Sequence, residues 1–205
     1  MYVPPKFSLQ EEGAWEIVRD AGAGMLVIAT AEGLASVFVP VLVNAERTKV
    51  LSHVARANPW WRSIEDGCEV LGLFLAASAY VSPSNYPSSF EVPGVVPTWN
   101  YVACELRGRV HVHDDAQWLA SQVRALTESF ETGRDPQWRV DDAPEHFIEL
   151  QLKAIVGLEI DVVSIEGKAK LSQNRPDIDH DQVRDNFAQG TLAERSVAER
   201  MSLGE

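Results

Sequence analysis

Cysteine, positive charge and long apolar runs are all scarce in this chain. Only two of its 205 residues are cysteine, Cys68 and Cys104, too few for a disulfide framework and without metal-type spacing. A reducing, cytoplasmic setting is expected. Lysine and arginine number 18 against 30 acidic residues, for a formal net charge of −12, and no basic run breaks that balance. Duplex DNA and anionic membranes recruit proteins through positive patches, so direct DNA contact is doubtful and membrane-surface binding is disfavoured. No apolar run approaches the roughly 18 residues of a membrane span, and the opening MYVPPKFSLQEE has no charged segment followed by an apolar one. GxSxG, HExxH, CxxC, P-loop and GxGxxG motifs are absent, and no residue stands out as a catalytic acid, base or nucleophile.

What is present suits one globular domain with a terminal appendage, since 45% of the residues are hydrophobic. Ser8 with Glu11 reads as a capping box opening a helix to about Asp20, stopped by Gly22 and Gly24. Three β-rich runs follow, Met25 to Thr30, Ala35 to Val43 and Lys49 to Val54, divided by AEG and NAERT. Asn58 and Pro59 start a helix that Gly67 closes about two turns later. Glu69 to Val81 is a long strand, Ser82 to Pro97 a proline-rich loop, and Thr98 to His113 another strand. Asp114 or Asp115 caps a helix to about Thr132. A further helix follows Asp142, with Phe147, Leu150 and Leu152 on its buried side, and Ala154 to Ile165 returns to strand. From Pro176 the chain is helical and polar, with a capping box in Thr191 and Glu194. The fold expected is mainly β with flanking helices, a closed barrel over residues 1–175, followed by a helical C-terminal tail over 176–205.

Three segments carry chemistry. In SHVARANPWWR, Ser52 to Arg62, a helix start offers unpaired N–H groups and Arg56 a planar fork, which together suit a phosphate; Asn58 as a plain cap and Arg56 as a solvated charge is an equal reading. Of Trp60 and Trp61, one is expected to face the core and the other to be exposed or covered by a partner chain. VVPTWNY, Val95 to Tyr101, sets a hydroxyl, an indole and a carboxamide side by side, which suits a flat heterocycle with a polar edge, although an ordinary strand start with a buried tryptophan is the preferred reading of these residues alone. Ser82 and Ser84 in AYVSPSNYP bond a ligand or turn the loop. EGKAKLSQNRP, Glu166 to Pro176, holds the densest basic cluster in Lys168, Lys170 and Arg175, against the reading of a solvated linker. His111 and His113 alternate on one strand near Asp114 and Asp115, and a surface strand end is preferred there over a metal site.

Taken in order, SHVARANPWWR, AYVSPSNYP, VPTWNY, LKAIVGLEI and GKAKLSQNRP resemble the PaiB family, FMN-binding negative transcriptional regulators, from MYVPPKF to about Pro176. The resemblance implies the FMN-binding split β-barrel shared with pyridoxamine phosphate oxidases and flavin reductases, built as a homodimer with FMN in the cleft between subunits. It implies that His53, Val54, Arg56 and Asn58 surround the FMN phosphate and ribityl chain, with Thr98, Trp99 and Asn100 near the isoalloxazine. Lys170 and Gln173 would reach the cleft, and Ser82 would join the cofactor set. The chain departs from the family pattern at Phe38, where a histidine is expected two residues before Pro40, and at Ala169, where a tryptophan is expected between the lysines. The function implied is a flavin-dependent or redox-responsive regulator. The alternatives are a flavin-dependent oxidoreductase of reductase or oxidase type and a non-catalytic flavin- or haem-binding module.

Overall fold

The computed structural model describes residues 1–90 and 95–203; positions 91–94 of the expected Ser82–Pro97 loop and the last two residues of the tail lie outside the described residues. Strands β1 (Ala23–Thr30), β2 (Gly33–Val43) and β3 (Lys49–Ala55) are joined by tight turns, and the long β4 (Cys68–Val81), β5 (Thr98–His113) and β6 (Ile155–Lys170) complete the sheet. Among the described residues these six strands close into a barrel in the order β1-β2-β3-β6-β5-β4. The closure explains the strict in-and-out alternation of the runs: Leu26, Ile28, Val37, Val39, Val41, Val50 and Val54 are buried while their neighbours are not. The helices are α1 (Glu11–Ala21), α2 (Ala116–Glu131), α3 (Glu145–Lys153), α4 (Asp177–Ala188) and α5 (Leu192–Leu203).

The chain divides into two compact units. One comprises Gly22–Leu73 and Leu106–Ser164. In it β1 pairs antiparallel with β2 and with β4, and β3 with β6, setting Met25 opposite both Phe38 and Leu73, and His53 opposite Gly157. Helix α2, capped by Asp115 through the Trp118 N–H, buries Leu119, Gln122 and Leu126. Gly157 exists for this helix: a Cβ there would stand 2.2 Å from Cζ3 of Trp118. Helix α3 differs from expectation, because none of its residues is buried and Phe147 and Leu150 are exposed; Ile148 and Leu152 are the ones that line the groove beside α2.

The other unit comprises Met1–Ala21, Phe74–Glu105 and Ile165–Glu205. Helix α1 buries Ala14, Trp15, Ile17 and Val18, each large side chain contributing about 1.5–3 kcal/mol. Gly167 lets it approach β6, since a Cβ there would lie 2.9 Å from that of Ala14. The helix starts at Glu11 rather than Ser8 because Ser8 bridges Lys168 and the Leu9 N–H is taken by the Gly167 carbonyl. The tail packs rather than dangles: α4 and α5 bury Val183, Phe187, Val197, Ala198 and Met201. Asp179, fully buried, accepts from the Ser88 N–H at 3.0 Å and hydroxyl at 2.6 Å. The Thr191–Glu194 capping box forms as expected.

Candidate functional site

The predicted site residues fall in both units. His53, Val54, Arg56 and Asn58 belong to the first, around the end of β3; Ser82, Thr98, Trp99, Asn100, Lys170 and Gln173 belong to the second.

At the end of β3, Val54 is buried and His53 Nδ1 lies 3.0 Å from Oε1 of Gln122. Burial pushes the His53 pKa down, partly offset by that bond, so the imidazole is neutral. The Gln122 amide nitrogen has no partner among the described residues. Arg56 is heavily engaged. Its Nε donates to the Lys153 carbonyl at 2.8 Å, Nη2 to the Ile155 carbonyl at 2.9 Å, and both terminal nitrogens grip the Asp114 carboxylate in a bidentate pair. That pair raises the arginine pKa and lowers that of Asp114. Of the five guanidinium N–H groups, one on Nη1 has no partner among the described residues.

The expected two-turn helix is a single 3-10 helix, Pro59–Ser63. It ends at extended Ile64, and Asn58 Oδ1 takes the Trp60 N–H at 3.0 Å, so the short helix satisfies its own start and offers little as an anion cradle. Trp60 is buried, and half-buried Trp61 donates its indole N–H to the Arg56 carbonyl at 3.1 Å with Arg62 stacked on its ring at 4.9 Å. His111 and His113 end in polar and stacking contacts: His111 Nδ1 is 2.8 Å from Asp66, and His113 lies flat on Trp118 at 4.2 Å.

The second unit brings most of its six together. The Lys170 ammonium donates to Thr98 Oγ1 at 2.5 Å and to the Trp99 carbonyl at 2.6 Å. The Trp99 indole, 53% exposed, stands edge-on to Tyr80, itself 49% exposed, with 6.2 Å between ring centroids. Asn100 is fully buried. Its Oδ1 accepts from Ser172 Oγ at 3.1 Å, and its Nδ2 points at Met201 Sδ of α5, 3.9 Å away. The LSQN turn explains its own polarity. Ser172 adopts φ 68°, a left-handed conformation that costs a non-glycine residue about 1–2 kcal/mol. The bond to Asn100 and the Gln173 side chain hold it there, the latter accepting from Leu171 N at 2.7 Å and donating to the Ala169 carbonyl at 2.7 Å. Ser82 is set apart from these: its Oγ accepts from the Ser84 N–H and hydroxyl and caps the short helix Pro83–Asn85.

Arg175 follows the turn, its guanidinium 4.5 Å over the ring of buried Tyr86, whose hydroxyl has no partner among the described residues. Lys168, 9% exposed, donates to the Tyr2 carbonyl at 3.1 Å and lies 5.2 Å from the centroid of Tyr101. Neither it, Lys170 nor Arg175 meets a carboxylate among the described residues. Burial, then the charges of Lys168 and Arg175, push the Lys170 pKa down.

Sequence reasoning missed Gln122 as the partner of His53 and the tail residues that reach Asn100 and Ser88. A glutamine on the apolar stripe Leu119–Leu126 was a readable sign of a buried hydrogen bond. Nothing local marks Met201 or Asp179 as partners of residues some hundred positions away.

Residues 1–164 match the family described as "Putative FMN-binding domain". The chain is 31% identical to the Bacillus subtilis "Protease synthase and sporulation protein PAI 2" over 88% of this chain and 86% of that one. An uncharacterized protein of Emericella nidulans is 30% identical over 89% and 88% of the respective lengths. Among solved structures, the FAD and heme binding protein from Mycobacterium smegmatis superposes with a TM-score of 0.59, at 20% identity over 92% of this chain and 82% of that one, a likeness that speaks to the fold alone. The closed antiparallel barrel, the matched family and these relatives together place the chain in the PaiB-like family of FMN-binding split-barrel proteins.

Proposed function

We propose that the protein binds FMN as a homodimer and acts as a redox-responsive regulator. The observation that carries the flavin reading is the Tyr80–Trp99 pair, two half-exposed aromatic rings in a T-shaped arrangement beside an ammonium fixed on Thr98 and the Trp99 carbonyl. Exposed aromatic rings of this size bind flat ring systems, and a partly buried ammonium that meets no carboxylate among the described residues favours an electron-rich edge. The residues present thus fit a flavin: Trp99 and Tyr80 wall the ring, Thr98 and Lys170 meet its polar edge, and Ser82 and Ser84 lie on the same unit. Asn100 and Gln173 support this set by fixing the LSQN turn; in the other unit, the phosphate role proposed for the His53–Asn58 segment is left with one Arg56 N–H that has no partner among the described residues. FMN supplies reversible one- and two-electron transfer. The chain's residues position it, exclude water with aromatic rings and bias its charge.

The homodimer reading rests on an apolar row on the outer face of the first unit. Phe38, Met25 and Leu73 are register partners across β2, β1 and β4, all exposed, with Leu34 on the same face. A contiguous apolar strip of this kind marks an interaction surface. Sedimentation at micromolar protein giving twice 22.7 kDa is expected; the monomer mass refutes it.

Regulation is proposed through a protein partner or redox signal, because a −12 chain has no phosphate footprint for DNA. The Bacillus subtilis relative carries the name "Protease synthase and sporulation protein PAI 2", whose mention of sporulation supports a regulatory role. A cytoplasmic location is supported by the two free cysteines; among the described residues no helix is long and apolar enough to cross a membrane. Titrating FMN into the purified protein should quench flavin fluorescence and raise the melting temperature; neither change occurring defeats the flavin reading. NADH or NADPH oxidation by the loaded protein would move the assignment to an oxidoreductase.

A further inference from the structure

We propose that Lys168, Lys170 and Arg175 form an oxyanion site that takes the phosphate or carboxylate of a small organic ligand. The proposal shares Lys170 with the flavin reading but does not depend on flavin binding. Lys168 and Lys170 are two residues apart on β6, so their side chains leave the same face about 6.5–7 Å apart. On β5 the same two-residue step sets Trp99 and Tyr101 beside them: Lys170 bonds the Trp99 carbonyl and Lys168 lies over the Tyr101 ring. The left-handed Ser172 turn brings the chain round to Arg175, whose N–H closes on the Ser172 carbonyl at 2.9 Å and whose guanidinium lies over Tyr86.

Three positive charges are thereby gathered in a chain whose acids outnumber its bases by 30 to 18, and none has an acidic partner among the described residues. The acids nearest in sequence do not pair with these cations: Asp179 holds Ser88, Glu166 meets the Met1 ammonium, and Asp177 makes no ion pair among the described residues. Lys168 has one neutral acceptor for three N–H donors at 9% exposure, and the Arg175 side chain has no hydrogen-bond acceptor among the described residues. A buried, unpaired cation is a standing cost. Burial, and after it the charges of Lys168 and Arg175, push the Lys170 pKa down. The orphaned hydroxyl of Tyr86, beneath Arg175, adds a neutral donor. An anion with several acceptor oxygens relieves all of these at once, which no neutral ligand does.

The test uses the full chain without flavin. Inorganic phosphate, against sodium chloride at matched ionic strength, should raise the melting temperature by about 3–6 °C at ten times its dissociation constant. Arg175→Gln should abolish that rise. Lys168→Met should abolish it too while raising the melting temperature of the phosphate-free protein, because it removes an uncompensated charge and keeps the volume. A lysine serving only its Tyr2 and Tyr101 contacts would lower it. Lys6→Gln, at an exposed position on the same unit, should leave the phosphate effect intact. Equal responses to phosphate and chloride, retention of the effect in Arg175→Gln, or a lower melting temperature in Lys168→Met would overturn the proposal. Comparing FMN with riboflavin then assigns the source. If the occupant is the FMN phosphate, Arg175→Gln weakens FMN at least tenfold and leaves riboflavin unchanged; if it is a second ligand's anion, FMN affinity holds while the phosphate effect is lost. A protein that binds neither flavin yet keeps the phosphate response defeats the flavin reading and not this one.

Discussion

At Gly157 the barrel backbone lies against Trp118 of α2, and Gly157→Ala tests the packing behind His53. The glycine sits on β6 in register with His53, and its backbone is not in the left-handed region, so alanine carries no conformational penalty there. The cost is steric. A Cβ would lie 2.2 Å from Cζ3 and 2.7 Å from Cε3 of Trp118, well inside the roughly 3.5 Å of a comfortable carbon contact. The indole must retreat by more than about 1 Å, but it is pinned from one side by His113, stacked 4.2 Å away at an interplanar angle of 3°. Overpacking of this kind costs about 1–3 kcal/mol, and the rigid ring places this case at the upper end. For a chain of this size that lowers the melting temperature by about 5–10 °C. Urea denaturation of the flavin-free protein reads the effect directly. Trp118→Leu should restore part of it, giving a favourable coupling in the double-mutant cycle. A Gly157→Ala variant within about 0.5 kcal/mol of wild type, or no coupling to position 118, would refute the packing argument.

Three further outcomes follow from buried groups. Because the folded pKa of His53 is lowered, the unfolded chain binds its proton first, so stability present above about pH 6.5 should fall as the pH drops toward the folded value; His53→Gln should remove that slope, and an unchanged pH profile argues against a buried neutral imidazole. Asp179→Ala strands the Ser88 N–H and hydroxyl and should cost about 1–3 kcal/mol in urea unfolding; a change below about 0.5 kcal/mol would show that the tail does not fasten this loop. Burial pushes the Cys104 thiol up to about 12, so a disulfide reagent at pH 8 should leave it unlabelled until the protein is unfolded, and rapid native labelling at Cys104 would contradict its burial.

The strands were legible because each inward residue alternates with an outward one, and a closed antiparallel sheet imposes that period on every run. Thr98–His113 needed no tertiary information at all. Helix α3 was misread for a related reason. Its apolar residues fall on both faces, so periodicity could not say which face packs, and the structure chose Ile148 and Leu152 over Phe147 and Leu150. At the site, the motif SHVARANPWWR named the right residues for capping and core, but its arginine is claimed by Asp114, the residue just ahead of the α2 cap. An ion pair spanning 58 positions leaves no trace in local pattern. The LSQN turn is the reverse case. Its polarity resembled a ligand-binding string, yet Ser172 and Gln173 spend their groups on Asn100 and the backbone, and the charge left over lies on the flanking cations.

Phe38 shows how a departure from the family pattern can be read physically. Position 38 carries phenylalanine where histidine is expected, it is 67% exposed, and it stands in register with Met25, which in turn faces Leu73. A polar imidazole would interrupt that row; the phenylalanine makes it continuous. If the row is the contact between two copies, each copy buries one phenylalanine, and an isologous interface counts the change twice. Replacing it by histidine forfeits about 1–2 kcal/mol of burial per copy, or about 2–4 kcal/mol per dimer, which raises the dimer dissociation constant about 30- to 1,000-fold. Phe38 is solvent-facing and outside the barrel core, so the fold of Phe38→His should be intact by circular dichroism. Sedimentation over a dilution series should then move the monomer–dimer midpoint to higher concentration by that factor. An unmoved midpoint would place the subunit contact on another face and leave the exposed row on β2, β1 and β4 without the role argued for it.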